Sequence, residues 1–303
     1  MNNRDTIAII ILNWNTYKYT FNCIRSLKLN NYKNFKIILV DNCSNDNSVI
    51  LLKKDFNDIK FIVNKKNLGF SGGNNVGMNY AVSQKYRYIM LLNSDTEVEK
   101  NFLLPLLNKL KQNEDLAAVQ PLILNFFNKS SIWNAGGSFN KFFGIPLTRF
   151  KNKLIDKTIK FDEKTSWITG CCILIKTSVI KQTGLLDENF FAYYEDVDFS
   201  IRIRELNYNL GFVKESVIFH HSSISLKANN HVGEGSLSPF AHYLNVKNHI
   251  ILLKKHRNLF NFFGIVLFQI LKITSYFFYF LIRLRFNKLQ MVFRGLYHGL
   301  KSK

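Results

Sequence analysis

Residues Ile7–Asn15 read IAIIILNWN: six apolar residues, four of them isoleucine, that stop at two asparagines flanking a tryptophan. A run this short and this β-branched reads as a strand buried on both faces, the kind found in parallel sheets covered by helices. Working outward, the pattern returns at Lys36–Val40, which ends in Asp41-Asn42, at Lys60–Val63, and at Tyr88–Leu92, which ends in Asn93-Ser94-Asp95. Between these runs lie longer amphipathic stretches, 18–30, 47–56 and 74–84. Strand and helix therefore alternate, the signature of a parallel α/β body. In such sheets ligands bind beyond the carboxyl ends of the strands, so the polar ends at Asn13–Asn15, Asp41-Asn42 and Asn93–Asp95 are expected to share one crevice. After Val119 the rhythm changes, and Trp167–Ile175 and Leu210–Phe219 are expected as strands around a helix from about Asp196 to Asn207.

The chain has 303 residues, 47% apolar and 15% aromatic, with only four prolines. That composition excludes wholesale disorder and collagen-like or mucin-like structure, and the length suits one large domain or a domain with an appendage. Its four cysteines (Cys23, Cys43, Cys171, Cys172) form no C-x-x-C spacing and no disulfide framework, which points to a reducing compartment. The Ile7–Leu12 run is too short for the apolar core of a signal peptide, so a cytoplasmic start is expected. The net charge is +20, and it is unevenly placed: Glu234 is the last acid, and Gly235–Lys303 carries eleven Lys/Arg. A body over 1–240 and a basic, aromatic helical tail over 241–303 are expected.

Four stretches offer chemistry. The apolar run before Asn93-Ser94-Asp95 would hold the Asp95 carboxylate at the sheet edge as a ligand for Mg²⁺ or Mn²⁺; the alternative is a simple turn or a helix N-cap, with Ser94 or Asp95 capping a segment that starts near Glu97. Asn67–Asn75, NLGFSGGNN, is a glycine-rich loop before a helical run, suited to close backbone approach by a nucleotide or, equally, to a simple turn. It lacks the Gly-Lys-Ser/Thr of a Walker A loop. Phe190–Asp198, FFAYYEDVD, sets three acids beside bulky aromatics at the start of a helix. A carboxylate desolvated there acquires a pKa useful to a general base, although Asp198 and Arg202 read better as an i,i+4 ion pair. His220-His221 closes a strand-like run, and because neighbouring strand residues point to opposite faces, only one of the pair is expected at the crevice.

In this order, IIILNWN, ILVDNCSNDNS, NKKNLGFSGGNNVGMNYA, MLLNSDTEV, WITGCCILIK, GLLDENFFAYYEDVDFSIRIRE and VIFHHSSIS resemble the family 2 glycosyltransferases of GT-A fold, particularly the rhamnosyltransferase-like branch. The resemblance runs from about residue 7 to 226. It implies a Rossmann-like, nucleotide-diphospho-sugar transferase fold: a mixed sheet with flanking helices. It further implies inverting transfer of a sugar from a nucleotide-diphosphate donor, dTDP-rhamnose or a UDP-sugar, to a hydroxyl of a glycan or lipid-linked acceptor. On the matched positions, Asn13, Asn15, Asp41, Gly69, Gly72 and Asn75 hold the donor's nucleoside side. Asn93 and Asp95 stand at the D-x-D motif, whose first acid is Asn here, and His220 completes the metal site with Asp95, with His221 the less favoured choice. Asp196 corresponds to the general base of the E-D pair, preceded by Glu195. Trp167 and Gly170 fall in the sugar and acceptor pocket, with Glu195 beside them. Lys247-Asn248 stands where this branch often carries Arg-Asn, which would let Lys247 meet phosphate as a point charge. The Q-x-x-R-W motif of processive relatives does not occur, which favours adding one sugar or a few. The loops near 125–165 and 222–238 are expected to decide the sugar and acceptor.

The tail is aromatic, and its apolar run 259–282 is interrupted by Asn261, Gln269, Lys272, Thr274 and Ser275. A Lys at mid-membrane costs about 2.5–3.5 kcal/mol on insertion scales, so amphipathic helices lying on the anionic inner leaflet are expected, with the enzyme peripheral to the plasma membrane. The alternative is helices packed on the body or at a homodimer interface. A nucleic-acid partner is not expected, because the positive charge sits among Phe and Leu and no recognised binding module occurs. A catalytically lapsed binding protein and a nucleotidyltransferase of related fold are the remaining alternatives.

Overall fold

The structure, a computed structural model, describes residues 6–156, 158–221 and 237–302. The chain opens with β1 (Ile7–Asn13), α1 (Tyr17–Lys28), β2 (Phe35–Asp41), α2 (Ser48–Asp55), β3 (Lys60–Val63), α3 (Gly69–Ser83) and β4 (Tyr88–Asn93). The middle holds β5 (Thr96–Val98), α4 (Leu103–Gln112), β6 (Leu116–Asn125), β7 (Ile132–Asn134), β8 (Gly137–Asn140), β9 (Ile145–Thr148) and β10 (Lys164–Thr165). Then come β11 (Cys172–Lys176), α5 (Thr177–Thr183), α6 (Glu195–Glu205), β12 (Asn209–His220) and the tail helices α7 (Pro239–Lys255), α8 (Phe262–Ile282) and α9 (Phe286–Lys301). Contacts divide the chain into two compact units, Met1–Ser138 with Thr148–Glu188 and Glu195–Ser225, and Phe139–Leu147 with Asn189–Tyr194 and Leu226–Lys303.

In the first unit the main sheet runs β10-β12-β6-β11-β4-β1-β2-β3. Strands β4, β1, β2 and β3 are mutually parallel, whereas β11 enters antiparallel between β4 and β6. β1 is buried on both sides, which explains its unbroken apolar sequence. Ile7, Ile9 and Ile11 join a cluster with Cys23, Ile24 and Leu27 of α1, while Ala8 and Ile10 join another with Met78 and Ala81 of α3. The chain leaves β1 toward β2 on one side and reaches β4 on the other, so β1 is the point at which strand order reverses. A crevice opens at the carboxyl ends of such strands. Register sets what lines it: Asn13 pairs with Asp41, and Leu12 pairs with Asn93.

Two expectations change. The glycine-rich stretch is the first turns of a helix, because α3 begins at Gly69, ahead of the expected start at 74. A Cβ on Gly73 would lie 2.5 Å from Leu12 Cδ1 and one on Gly77 2.5 Å from Ile10 Cγ2, so these glycines let α3 sit directly on β1. Of the alternatives at Asp95, the helix N-cap fails, since the residues that follow form β5, paired antiparallel with β12, whereas Ser94-Asp95 does form a turn between β4 and β5. Of the segment 222–238, residues 222–236 lie outside the described residues.

The second unit contains the three tail helices. α7 is capped by Ser238, whose Oγ accepts the Ala241 N–H at 3.2 Å, with Pro239 at the first helical position, where a missing N–H costs nothing. α9 lies close along α7 because Gly295 and Gly299 face it: a Cβ on Gly295 would meet Tyr243 O at 2.6 Å. α8 is one uninterrupted 21-residue helix of mean hydropathy 1.8, long and apolar enough to cross a membrane. The polar interruptions seen in the sequence are sorted by face. Gln269 Nε2 and Lys272 Nζ point inward to His249 Nδ1 of α7, at 3.0 and 3.3 Å. The opposite face exposes Phe262, Phe263, Val266, Leu267, Ile270, Leu271, Phe278 and Tyr279, with only Thr274 and Ser275 to break it.

Candidate active site

The strand ends gather a polar edge. Asp41 is buried, and its Oδ1 accepts from Asn13 Nδ2 at 2.7 Å and Ser44 Oγ at 2.6 Å, while Oδ2 accepts the Ser44 N–H at 2.9 Å. Asn13 Oδ1 in turn accepts from Thr20 Oγ1 at 2.6 Å and Thr16 Oγ1 at 3.1 Å. Asn13 and Asp41 are thus fixed by the chain itself, and Asn15 is the exposed member, left-handed at φ +54°. Its N–H donates to Ser44 Oγ at 2.9 Å and its Oδ1 accepts the Asn45 N–H at 2.8 Å. Ser44 joins all three residues and went unremarked in the sequence, although a short Asp-x-x-Ser stretch lets the carboxylate bond local backbone and hydroxyl groups. Asn42 was missed as an anchor too: its amide bonds Asn67 Oδ1, Gly69 O, Asn64 Nδ2 and the Leu68 N–H, tying the end of β2 to the turn before α3.

Gly69 enters α3 at φ +72°, a conformation glycine takes without steric cost. At Gly72 a Cβ would lie 2.9 Å from Leu68 Cβ. Asn75 is buried and turned to the Leu186–Glu188 segment, donating to Leu186 O and Glu188 Oε1, both at 2.9 Å, and accepting the Leu186 N–H at 3.0 Å.

At the end of β4 the chain turns through Asn93, whose carbonyl accepts Thr96 Oγ1 at 2.7 Å, and brings Asp95 opposite the end of β12. Asp95 Oδ1 and His220 Nε2 are 3.1 Å apart, both residues being buried. Trp133 packs edge-on against the His220 ring, with centroids 4.3 Å apart. His221 faces elsewhere, stacked on Phe126 with its Nε2 3.3 Å from Glu97 Oε1. Among the described residues no group of three or more His, Cys, Asp or Glu side chains is gathered as a metal cluster. A carboxylate and an imidazole together nevertheless fit a divalent ion whose shell is completed by substrate phosphate and water, and the buried His220 Nδ1 has no hydrogen-bond partner.

The same edge holds the acids of α6. Asn93 N–H donates to Cys171 O at 2.9 Å, and one residue earlier Gly170 N–H donates to Asp196 Oδ2 at 2.7 Å. Asp196 Oδ1 accepts the Val197 N–H at 2.8 Å. The Cys171 thiol between them is pushed far up, first by burial and then by the charge of Asp95, with Asp196 also contributing. A Cβ on Gly170 would sit 3.1 Å from the Phe70 ring and 3.5 Å from Asp196 Cβ, so this position admits only a close-packed backbone. Burial raises the pKa of Asp196 against its backbone hydrogen bonds, and raises Glu195 further, with Asp196's charge adding to it. Glu195 Oε2 is buried without a partner. Asp196 is the member with two backbone donors, which oppose the rise that burial imposes, whereas at Glu195 burial and the neighbouring charge of Asp196 act together against ionisation.

Asp198 is fully buried and bonded to Arg202 Nε at 2.8 Å, while Arg202 also donates to Thr183 O and Leu185 O. It is an internal brace, as the i,i+4 spacing suggested. Trp167 precedes β11 instead of belonging to it. It is buried, its Nε1 donates to Ser138 O at 3.0 Å, and its indole covers Gly137, where a Cβ would meet Cε2 at 2.0 Å. Lys247 Nζ donates to Asn189 O at 2.9 Å.

Comparison with known proteins places this geometry. The profile of Glycosyl transferase family 2 matches residues 8–184, more than half of the chain. The chain is 29% identical over 211 residues to the low-salt glycan biosynthesis hexosyltransferase Agl10 of Haloferax volcanii, covering 68% of this chain and 64% of that protein. It is 31% identical over 64 residues to an N-acetylglucosaminyl-diphospho-decaprenol L-rhamnosyltransferase of Mycobacterium tuberculosis, 21% of each chain. Both matches therefore span less than two thirds of the relative's length. Among solved structures, GalNAc-T7 with UDP, GalNAc and Mn²⁺ superposes with a TM-score of 0.61 at 18% identity, covering 84% of this chain and 48% of that one. The mannosyltransferase PcManGT of Pyrobaculum calidifontis with GDP-Man and Mn²⁺ gives 0.58 at 11% identity, covering 84% and 65%. The sheet with its switch at β1 is that of the GT-A fold, and the chain belongs to glycosyl transferase family 2.

Proposed function

We propose that the protein transfers one sugar, or a few, from a nucleotide-diphosphate donor to a hydroxyl of a glycan or lipid-linked acceptor, with inversion, in cell-surface polysaccharide assembly. The observation that carries this is the Asp196 carboxyl: its pKa raised by burial, and held by the N–H of Gly170, whose chain neighbour Cys171 accepts the N–H of Asn93, two residues ahead of Asp95. The donor's nucleoside side lies along Asn13, Asn15, Asp41 and the start of α3. Asp95 and His220 are the residues that would hold Mg²⁺ or Mn²⁺, which would supply Lewis-acid neutralisation of the leaving charge. Asp196 Oδ takes the proton of the acceptor hydroxyl as that oxygen attacks the anomeric carbon, a single displacement with no covalent intermediate. Burial and the charge of Asp196 both disfavour ionisation of Glu195, which limits the negative charge beside the base. L-rhamnose from dTDP-rhamnose is the favoured sugar, supported by the mycobacterial relative's name; the longer match to a hexosyltransferase supports a UDP-hexose as the second reading.

The outer face of α8 supports a place on the cytoplasmic side of the plasma membrane. Its apolar residues face outward, the half-buried Lys272 is turned away from them, and Arg283, Arg285 and Lys288 follow directly in a tail without acids. This is the pattern of a helix lying in an anionic leaflet, where each basic residue contributes about 1 kcal/mol.

The test is incubation with labelled dTDP-rhamnose and UDP-hexoses in the presence of Mn²⁺ and extracted lipid-linked glycans. Label moving into the lipid fraction with release of nucleoside diphosphate is expected. Pyrophosphate release would instead mark nucleotidyl transfer, and no turnover a lapsed enzyme.

A further inference from the structure

Three consecutive residues of α7 grip one short loop. Lys247 Nζ donates to Asn189 O at 2.9 Å. Asn248 is fully buried, and its Nδ2 lies 2.5, 2.7 and 3.0 Å from the carbonyl oxygens of Phe190, Ala192 and Tyr193. The His249 ring stacks on Tyr194, with centroids 5.3 Å apart and planes 13° from parallel. His249 is itself fixed from both sides: Nε2 donates to Gly144 O at 2.9 Å, and Nδ1 accepts from Gln269 and Lys272.

The gripped loop is strained. Phe191, Tyr193 and Tyr194 all adopt left-handed backbone, at φ +59°, +70° and +71°, a region that bulky side chains rarely enter and that persists only where surrounding contacts enforce it. An asparagine amide aimed at three carbonyls is such an enforcement, because those carbonyls converge only when the loop is folded back on itself. The residue after Tyr194 is Glu195, the first of α6, and the next is Asp196.

We infer that Lys247, Asn248 and His249 form a clamp of positioning residues, with Asn248 at its centre, which holds Asn189–Tyr194 in its strained shape and so fixes where the chain enters α6 and presents Asp196. The effect on turnover rests on the transfer reading above; the effect on the loop does not.

The test uses the full chain and Asn248→Leu, which keeps the reach of the side chain and removes the donor. Hydrogen exchange is followed by mass spectrometry, and turnover is followed as nucleoside diphosphate released from whichever of dTDP-rhamnose and UDP-glucose the wild type uses. Amides of 190–197 should exchange about tenfold faster or more, the scale of one or two lost hydrogen bonds, while those of β1, β4 and α3 keep their wild-type rates. kcat should fall about a hundredfold, as expected for a misplaced reacting group, with donor KM within about threefold. Unchanged exchange at 190–197 overturns the clamp even if sugar transfer is real, as does a loss of kcat matched by donor KM and by global melting. If Asn248→Leu does not fold, Lys247→Met decides by the same exchange measurement: faster exchange at 189–194 supports the clamp, and wild-type rates there overturn it.

Discussion

Replacing Asp196 by Asn tests the base directly, and the structure sets the size of the effect. The carboxyl takes one N–H on each oxygen, from Gly170 and from Val197. Asparagine keeps one acceptor and turns an NH₂ toward the other donor, losing about 1 kcal/mol of hydrogen bond. Against this, the substitution removes a carboxylate whose ionisation burial opposes, so the two contributions act in opposite directions. At about 2–4 °C per kcal/mol for a chain of this size class, melting should move by only a few degrees. Turnover is a different matter, since general-base assistance contributes about 10²–10⁴ in rate, or roughly 3–5.5 kcal/mol at 1.36 kcal/mol per tenfold. In a coupled assay of nucleoside diphosphate release, kcat should fall by that factor with donor affinity unchanged. The wild-type kcat/KM should rise with pH on a limb displaced upward from the ordinary Asp value by burial, and the variant should lack this limb. A variant within about tenfold of wild-type kcat, or one with the same pH limb, would falsify the assignment.

Asp95→Ala should abolish activation by Mn²⁺ while leaving the fold intact, and activity of the wild type undiminished in excess chelator would remove the metal from the account. For Glu195 the sign follows from linkage: its folded pKa lies above the unfolded value of about 4.3, so its favourable contribution is present below that value and is lost as pH rises through the folded pKa. Glu195→Gln should therefore melt higher than wild type at pH 8 and show no such gain at pH 4; an equal difference at both pH values would contradict the burial argument. Gly77→Leu places a side chain where a Cβ already lies 2.5 Å from Ile10 Cγ2, and should cost about 1–3 kcal/mol by overpacking; an unchanged denaturation midpoint would mean that α3 sits less tightly on β1. Ile270→Glu with Phe278→Glu, on the outer face of α8, should weaken flotation with phosphatidylglycerol liposomes while leaving secondary structure unchanged; full binding by the double variant, or a dimer in its absence, would assign that face to another partner.

Much of the fold was legible because burial on both faces writes itself into the sequence. β1, β2, β3 and β4 were visible as short apolar runs, and the polar residues ending three of them fell at one edge because the register pairs Asn13 with Asp41 and Leu12 with Asn93. The glycines of 69–77 were visible but misleading locally, since a glycine needed for helix-on-strand packing looks the same in sequence as one needed for a turn. β5 to β10 were not legible: most are too short to display an alternation, and β5 and β10 pair with a strand distant in sequence. In the site, the brace between Asp198 and Arg202 followed from helix periodicity, while strand periodicity said only that at most one of His220 and His221 faces the crevice and the resemblance chose His220. The grip of Lys247, Asn248 and His249 did not, because it joins residues more than fifty positions apart and leaves no local pattern. The tail shows the same limit: Lys272 interrupts the apolar run in sequence, but only the packing of α8 on α7 reveals that it points away from the outer face.

The most direct measurement is a thermal-shift panel of dTDP, UDP and GDP and their sugars, with and without Mn²⁺, on the wild type, Asp196→Asn and Asp95→Ala. A ligand that binds only the folded chain raises its melting temperature by mass action. One nucleoside should stabilise the wild type and Asp196→Asn only when Mn²⁺ is present, and should fail to do so for Asp95→Ala. No shift with any nucleotide sugar, or the same metal-dependent shift in Asp95→Ala, would contradict a donor site built on Asp95 and His220.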